Sequence, residues 1–70
     1  MNQEEQSVDI SVQGGGSVFL FVPESEAGRQ FLAEAVNAEP WQWLGQALAV
    51  DHHYAGDLAE ACMRHGLTVR

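Results

Sequence analysis

The chain has 70 residues, enough for one domain, and carries ten Asp and Glu against three Arg and no Lys. Its formal net charge of −7 argues against direct binding to nucleic acid or anionic lipid and favours a protein partner with a basic surface. So short a chain buries only about 60% of the surface that its unfolded form exposes, so we expect association to support its core.

No run of eighteen apolar residues and no basic leader occurs, so the sequence predicts neither a membrane span nor a secretion signal. The lone Cys62 excludes an internal disulfide and is typical of a reducing compartment. We therefore expect a cytoplasmic protein with a flexible tail over residues 1–7 and a single domain over residues 8–70.

The first structured segment is a predicted β-hairpin. Residues 8–13 alternate apolar and polar side chains, as a half-buried strand does, and glycines 14–16 permit a tight reversal. Residues 17–22, SVFLFV, form the second strand and are apolar on both faces. One face carries Val18, Leu20 and Val22, and the other carries Phe19 and Phe21.

An amphipathic helix is predicted over residues 26–36, after Pro23 ends the strand. Ser25 is placed to cap its first turn. The segment 41–45 contains Trp41 and Trp43 and reads as a short extended stretch, in which one tryptophan covers the core. The other tryptophan is left open, as a core residue or as an interface anchor.

A short strand over residues 47–50 leads into a second helix over residues 52–65. Asp51 caps this helix and Gly66 ends it. Residues 67–69 are predicted as a last strand. The buried stripe of the helix is predicted to contain Tyr54, Leu58, Ala61 and Cys62.

These elements predict an α+β fold in the order β-β-α-β-α-β, a four-stranded sheet with two helices packed on one face. If Val18, Leu20 and Val22 face the helices, Phe19 and Phe21 lie on the uncovered side of the sheet. A two-fold dimer would then bury the two phenylalanines. Alternatively, Trp41 or Trp43 covers the phenylalanines within one chain.

No residue set in the sequence predicts an enzyme, a cofactor or a metal site. Cys62 and His65 are helix neighbours, but His52 and His53 lie about 15 Å away along the same helix, and two ligands do not make a zinc site. Cys62 also lacks a neighbouring group that would lower its pKa. The expected function is therefore binding.

Acidic side chains are the candidate binding residues, because both helices would turn them away from the sheet. With only Arg29 and Arg64 among them, they would present negative charges at spacings loosely like those of a phosphate backbone. The candidate residues are Glu26, Glu34, Glu39, Asp57 and Glu60. The alternative is that this acidity serves only solubility.

The second half of the chain resembles short proteins carried by phages and prophages. The segments that carry this resemblance are residues 43–50, Tyr54, residues 57–58 and residues 66–69. In size, acidity and lack of a catalytic motif the chain is similar to anti-CRISPR proteins. The resemblance implies an inhibitor in a bacterial host cell that binds a type I CRISPR surveillance complex, and it transfers no functional residue.

Two hypotheses follow. In the first, the acidic helical residues dock on a basic, nucleic-acid-binding surface of a host complex. In the second, a small structural or regulatory protein acts as a dimer through the apolar sheet face of Phe19 and Phe21.

Overall fold

The computed structural model describes residues 8–70, and the predicted tail over residues 1–7 lies outside this range. Its strands are β1 (Ile10–Gly15), β2 (Val18–Pro23), β3 (Trp43–Leu44) and β4 (Ala47–Asp51). They form one antiparallel sheet in the order β1-β2-β4-β3. Helices α1 (Glu26–Ala35) and α2 (His52–Arg64) pack on one face of the sheet, which confirms the predicted α+β fold.

Both helices begin at the predicted capping residues. The Ser25 hydroxyl accepts a hydrogen bond from the Gly28 amide (3.0 Å), and the Asp51 carboxylate accepts one from the His53 amide (2.7 Å). Each cap satisfies a backbone donor that would otherwise lack a partner in the first helical turn. The caps therefore set where the chain leaves β2 and β4.

The core lies between the helices and one sheet face. Its buried residues come from both helices and from strands β1, β2 and β4, together with Leu67 after α2; they are Ile10, Phe21, Leu32, Leu48, Val50, Ala55, Leu58, Cys62 and Leu67. In α2 the buried stripe contains Ala55, whereas the predicted Tyr54 is 45% exposed. Position 55 lies on the same helical face as Leu58 and Cys62, three and seven residues further on.

The prediction that Phe19 and Phe21 form the uncovered face is wrong. Phe21 is fully buried in the core, Phe19 packs against it, and Val18 is 49% exposed on the opposite face. The uncovered face of β2 therefore carries Val18, Leu20 and Val22. No dimer is needed to bury the phenylalanines.

The register of the hairpin explains this reversal. A turn over the glycines at 14–16 would pair Val12 with Val18, whereas the observed turn is Gly16–Ser17 and pairs Val12 with Phe21. The two registers differ by an odd number of residues, and an odd shift moves every side chain of a strand to its other face. Val12 shares the inward face with Ile10, so its partner Phe21 is buried.

The fourth strand of the sheet is β3, and residues 67–69 do not form the predicted strand. β3 pairs with β4 across the turn Gly45–Gln46. Val69 makes only an isolated parallel bridge with Ile10, although Thr68 and Arg70 exchange backbone hydrogen bonds with the edge of β1. The C-terminal segment therefore covers the β1 edge that a neighbouring chain could otherwise pair with.

The two tryptophans have different environments. A 3₁₀ turn (Pro40–Gln42) precedes β3, and Trp43 packs against the core on the helix side of the sheet. Trp41 is 73% exposed. The prediction that one tryptophan covers the core is confirmed, with Trp43 in that role.

The Asp9 side chain connects two segments that are distant in sequence. Its carboxylate accepts hydrogen bonds from the Ser25 hydroxyl (2.6 Å) and the Thr68 amide (2.8 Å), so it links the start of α1 to the C-terminal segment. The backbone of α1 approaches β1 closely at Gly28, where an added Cβ would clash with the carbonyl oxygen of Asp9. The absence of a side chain at position 28 therefore allows α1 to pack this closely against the sheet.

Candidate acidic docking surface

The five predicted acids lie on the helical side of the molecule or on the connection that follows α1, and all are exposed. We call this set, Glu26, Glu34, Glu39, Asp57 and Glu60, the acidic helical surface. In each helix the acids lie away from the buried residues, which are Gly28 and Leu32 in α1 and Ala55, Leu58 and Cys62 in α2. The amphipathic pattern alone fixes this exposure.

Two members of the surface form ion pairs within their own helix. Glu26 binds Arg29 (3.0 Å) and Glu60 binds Arg64 (3.1 Å). The four side chains are between 49% and 75% exposed. Exposed pairs at this helical spacing contribute about 0.3–0.5 kcal/mol. A competing basic partner could therefore displace these arginines at little energetic cost.

Glu34, Glu39 and Asp57 form no ion pair among residues 8–70. Glu34 lines a shallow cavity of about 350 Å³ beside His65, whose ring packs against Phe31 at a tilt of 37° with centroids 4.7 Å apart. The backbone at Glu39 is fixed through Gln42, which accepts a hydrogen bond from the Glu39 amide (2.8 Å) and donates one to the Ala49 carbonyl (3.0 Å). Within residues 8–70, these three carboxylates therefore have no cation to displace before docking.

Two other acids have structural roles. Hydrogen bonds from the Ser25 hydroxyl and the Thr68 amide hold the pKa of Asp9 below its usual value. The His53 amide and imidazole act in the same direction on the pKa of Asp51. The alternating pattern of residues 8–13 predicted that Asp9 lies on the solvent-exposed face of a strand. It did not indicate that Asp9 binds Ser25 and Thr68, because both residues are remote in sequence.

Cys62 and His65 do not form a joint site. Cys62 is fully buried, and burial raises the pKa of its thiol, which is opposite to what a nucleophile or a metal-binding thiolate requires. His65 is exposed and occupies the C-terminal cap position of α2. The burial of Cys62 confirms the prediction that it belongs to the buried stripe of this helix, where a free cysteine packs as a small apolar side chain.

A cluster of metal-ligating side chains lies at the start of α2. Donor atoms of Asp51, His52 and His53 all lie within 4.8 Å of one another. This cluster was not predicted from the sequence, where His52 and His53 were considered only as partners of Cys62 and His65 and not together with Asp51. The signal was the consecutive Asp-His-His itself.

Comparison of the chain with protein-family models, with curated proteins and with solved structures finds no match. In the part of the chain that the structure describes, neither helix has the length and apolar character needed to cross a bilayer.

Proposed function

We propose that this protein is a non-enzymatic inhibitor whose acidic helical surface binds a basic, nucleic-acid-binding surface of a protein partner. The observation that carries the proposal is the exposure of Glu34, Glu39 and Asp57 without an ion pair among residues 8–70. Carboxylates that make no intramolecular ion pair are available to a partner's Lys and Arg.

Long-range electrostatics support the same proposal. The net charge of −7 on 70 residues would accelerate encounter with a basic surface, and added salt would slow it. A surface that binds DNA or RNA carries Lys and Arg spaced for phosphates, so exposed carboxylates can compete for those cations. Such a protein needs no catalytic group.

The partner class that the resemblance suggests is a type I CRISPR surveillance complex in a bacterial host. Occupying its DNA-binding channel would stop target recognition before any nuclease acts. The protein would then work in the host cytoplasm and would require no cofactor.

The test is competition between this protein and labelled target DNA for a purified type I surveillance complex, measured by fluorescence anisotropy at low and high salt. We expect wild type to displace the DNA, and Glu34→Lys and Asp57→Lys each to weaken this inhibition about tenfold at low salt, since a like charge then faces the basic surface. The difference should shrink as salt rises.

The matched control is Gln13→Lys/Ser17→Lys, which makes the same change of two charge units on exposed positions of the β1–β2 hairpin. It should retain most of the inhibition. Equal inhibition by wild type and the two reversal variants would exclude the acidic helical surface as the binding site. An equal loss in the control would assign the effect to net charge and not to this surface.

A second candidate function is association through the uncovered sheet face, favoured by the exposure of Val18 and Leu44. Cross-strand register places these residues on one face with Leu20, Val22, Ala47 and Ala49. A second copy of the chain suits this face, because it would bury apolar side chains while the acidic helical surfaces remain apart on the outside.

A further inference from the structure

We propose that Asp51, His52 and His53 form a binding site for a divalent transition-metal ion of the Zn²⁺ type. One donor atom from each side chain lies within 4.8 Å of the other two, and the imidazole rings have centroids 3.9 Å apart. Two imidazoles and a carboxylate are a donor set that Zn²⁺ accepts. The proposal does not depend on the docking function.

The backbone holds the three residues in place. Asp51 is the last residue of β4, paired with Val18, and the His52 amide donates a hydrogen bond to the Ser17 carbonyl (3.0 Å). Asp51 has extended backbone angles, whereas His52 begins the helix. This change from strand to helix places the Asp51 carboxylate over the first turn of α2, where it contacts the amide and the ring of His53.

The side chains can close to coordination distance. Ligand atoms of a tetrahedral zinc ion, each about 2.0–2.1 Å from the metal, lie roughly 3.3 Å apart, so no pair of donor atoms must approach by more than about 1.5 Å. The side chains of His53 and Asp51 are 81% and 66% exposed, so rotation about their χ angles can supply this movement without disturbing the core.

One of the existing hydrogen bonds must be exchanged for metal binding. The His53 amide donates to Oδ1 of Asp51 (2.7 Å), and this helix cap can remain, because a carboxylate oxygen has further lone pairs. The contact between Nδ1 of His53 and Oδ1 of Asp51 (2.9 Å) already brings an imidazole nitrogen and a carboxylate oxygen to the separation of two ligands on one ion, and coordination replaces the proton between them.

The site lies at the N-terminus of α2, where the helix dipole carries a partial positive charge that disfavours a bound cation. At an exposed site this repulsion would weaken metal binding by no more than about fivefold. Three protein ligands leave at least one coordination position for water.

The experiment is isothermal titration of the full chain with ZnCl₂ in a non-chelating buffer. We expect one ion per chain, with affinity reduced at least about tenfold by His52→Ala and by His53→Ala. Asp51→Asn should also weaken binding while the protein stays folded, because asparagine caps a helix as well as aspartate does. His65→Ala removes one histidine outside the cluster and should bind Zn²⁺ as wild type does.

Two-dimensional NMR of the same samples locates the ion. The proposal requires Zn²⁺-induced shifts in the amides and imidazoles of residues 51–53. Undiminished affinity in the His52→Ala and His53→Ala variants, shifts centred on His65 or on residues 1–7, or the absence of binding would each overturn it.

Discussion

Gly28 is the position at which a single methyl group should most disturb this fold. An added Cβ would clash with the backbone oxygen of Asp9 and lie 3.1 Å from a side-chain carbon of Ile10. Backbone atoms cannot rotate away, so α1 as a whole would have to shift from the sheet. That shift would also strain the hydrogen bond between Ser25 and Asp9.

We expect Gly28→Ala to lower the free energy of unfolding by about 1–3 kcal/mol, because the clash outweighs the better helix propensity of alanine. Gly56→Ala is the matched control in α2, since within residues 8–70 its added Cβ would meet no atom within 4 Å outside the adjoining helix backbone, and it should raise the free energy of unfolding by up to about 1 kcal/mol. Urea denaturation measures both. Equal stability of the two variants would contradict the close approach at Gly28.

Asp9 should make folding stability depend on pH in the acid range. Its pKa in the folded protein is lowered by hydrogen bonds from Ser25 and Thr68, whereas in the unfolded chain it has the ordinary value of about 3.9. Its contribution to stability is therefore present above about pH 4 and is lost as the pH falls through the lower folded value.

The measurement is urea denaturation of wild type and Asp9→Asn between pH 2 and pH 7. The variant should be less stable than wild type at neutral pH, and this deficit should shrink as the pH falls. Asp57→Asn controls for the loss of one charge, since the Asp57 side chain makes no hydrogen bond to the described residues. A deficit independent of pH would exclude Asp9 as the titrating group.

At the scale of elements, the C-terminal end of α2 is the best-defined helix boundary. Gly66 has φ +90°, its amide donates to the Met63 carbonyl, and the Leu67 amide donates to the Cys62 carbonyl. These bonds form a Schellman motif, and the buried Leu67 supplies the hydrophobic contact that accompanies it.

Gly66→Ala should cost about 1–2 kcal/mol of stability, because a Cβ is disfavoured in the left-handed conformation. Gly66→Asn should cost less than Gly66→Ala, since asparagine tolerates that conformation better. Thermal unfolding followed by circular dichroism measures both. Equal losses would indicate that the backbone angle at position 66 is not what limits stability.

Helix limits, caps and the exposure of the acids could be predicted because each depends on residues close in sequence. Ser25, Asp51 and Gly66 act within one helical turn, and Glu34 and Asp57 follow the helical period. Sheet register could not be predicted in this way: SVFLFV is apolar on both faces, so only the position of the turn decides which face is buried. Contacts across long separations, such as Asp9 with Thr68, left no local pattern.

For the whole molecule, the two faces differ in chemistry. The helical side carries the acidic helical surface, whereas the uncovered sheet face carries an apolar strip of Val18, Leu20, Val22, Leu44, Ala47 and Ala49, with Asp51 at one end as the partner of Val18. A single chain can therefore associate through the sheet and still present carboxylates outward. The docking and dimer hypotheses can therefore both hold, and each needs its own test.

The dimer hypothesis predicts that wild type sediments as a dimer at micromolar concentration, while Val18→Ser/Leu44→Ser sediments as a monomer. Both side chains are about half exposed in the single chain, so replacing them should leave the core intact. Met63→Ser is the matched control, because Met63 is 54% exposed on α2, outside the sheet face, and its loss should leave the dimer unchanged. A wild-type monomer at all concentrations would reject self-association, and a dimer that survives in the double variant would place its interface elsewhere.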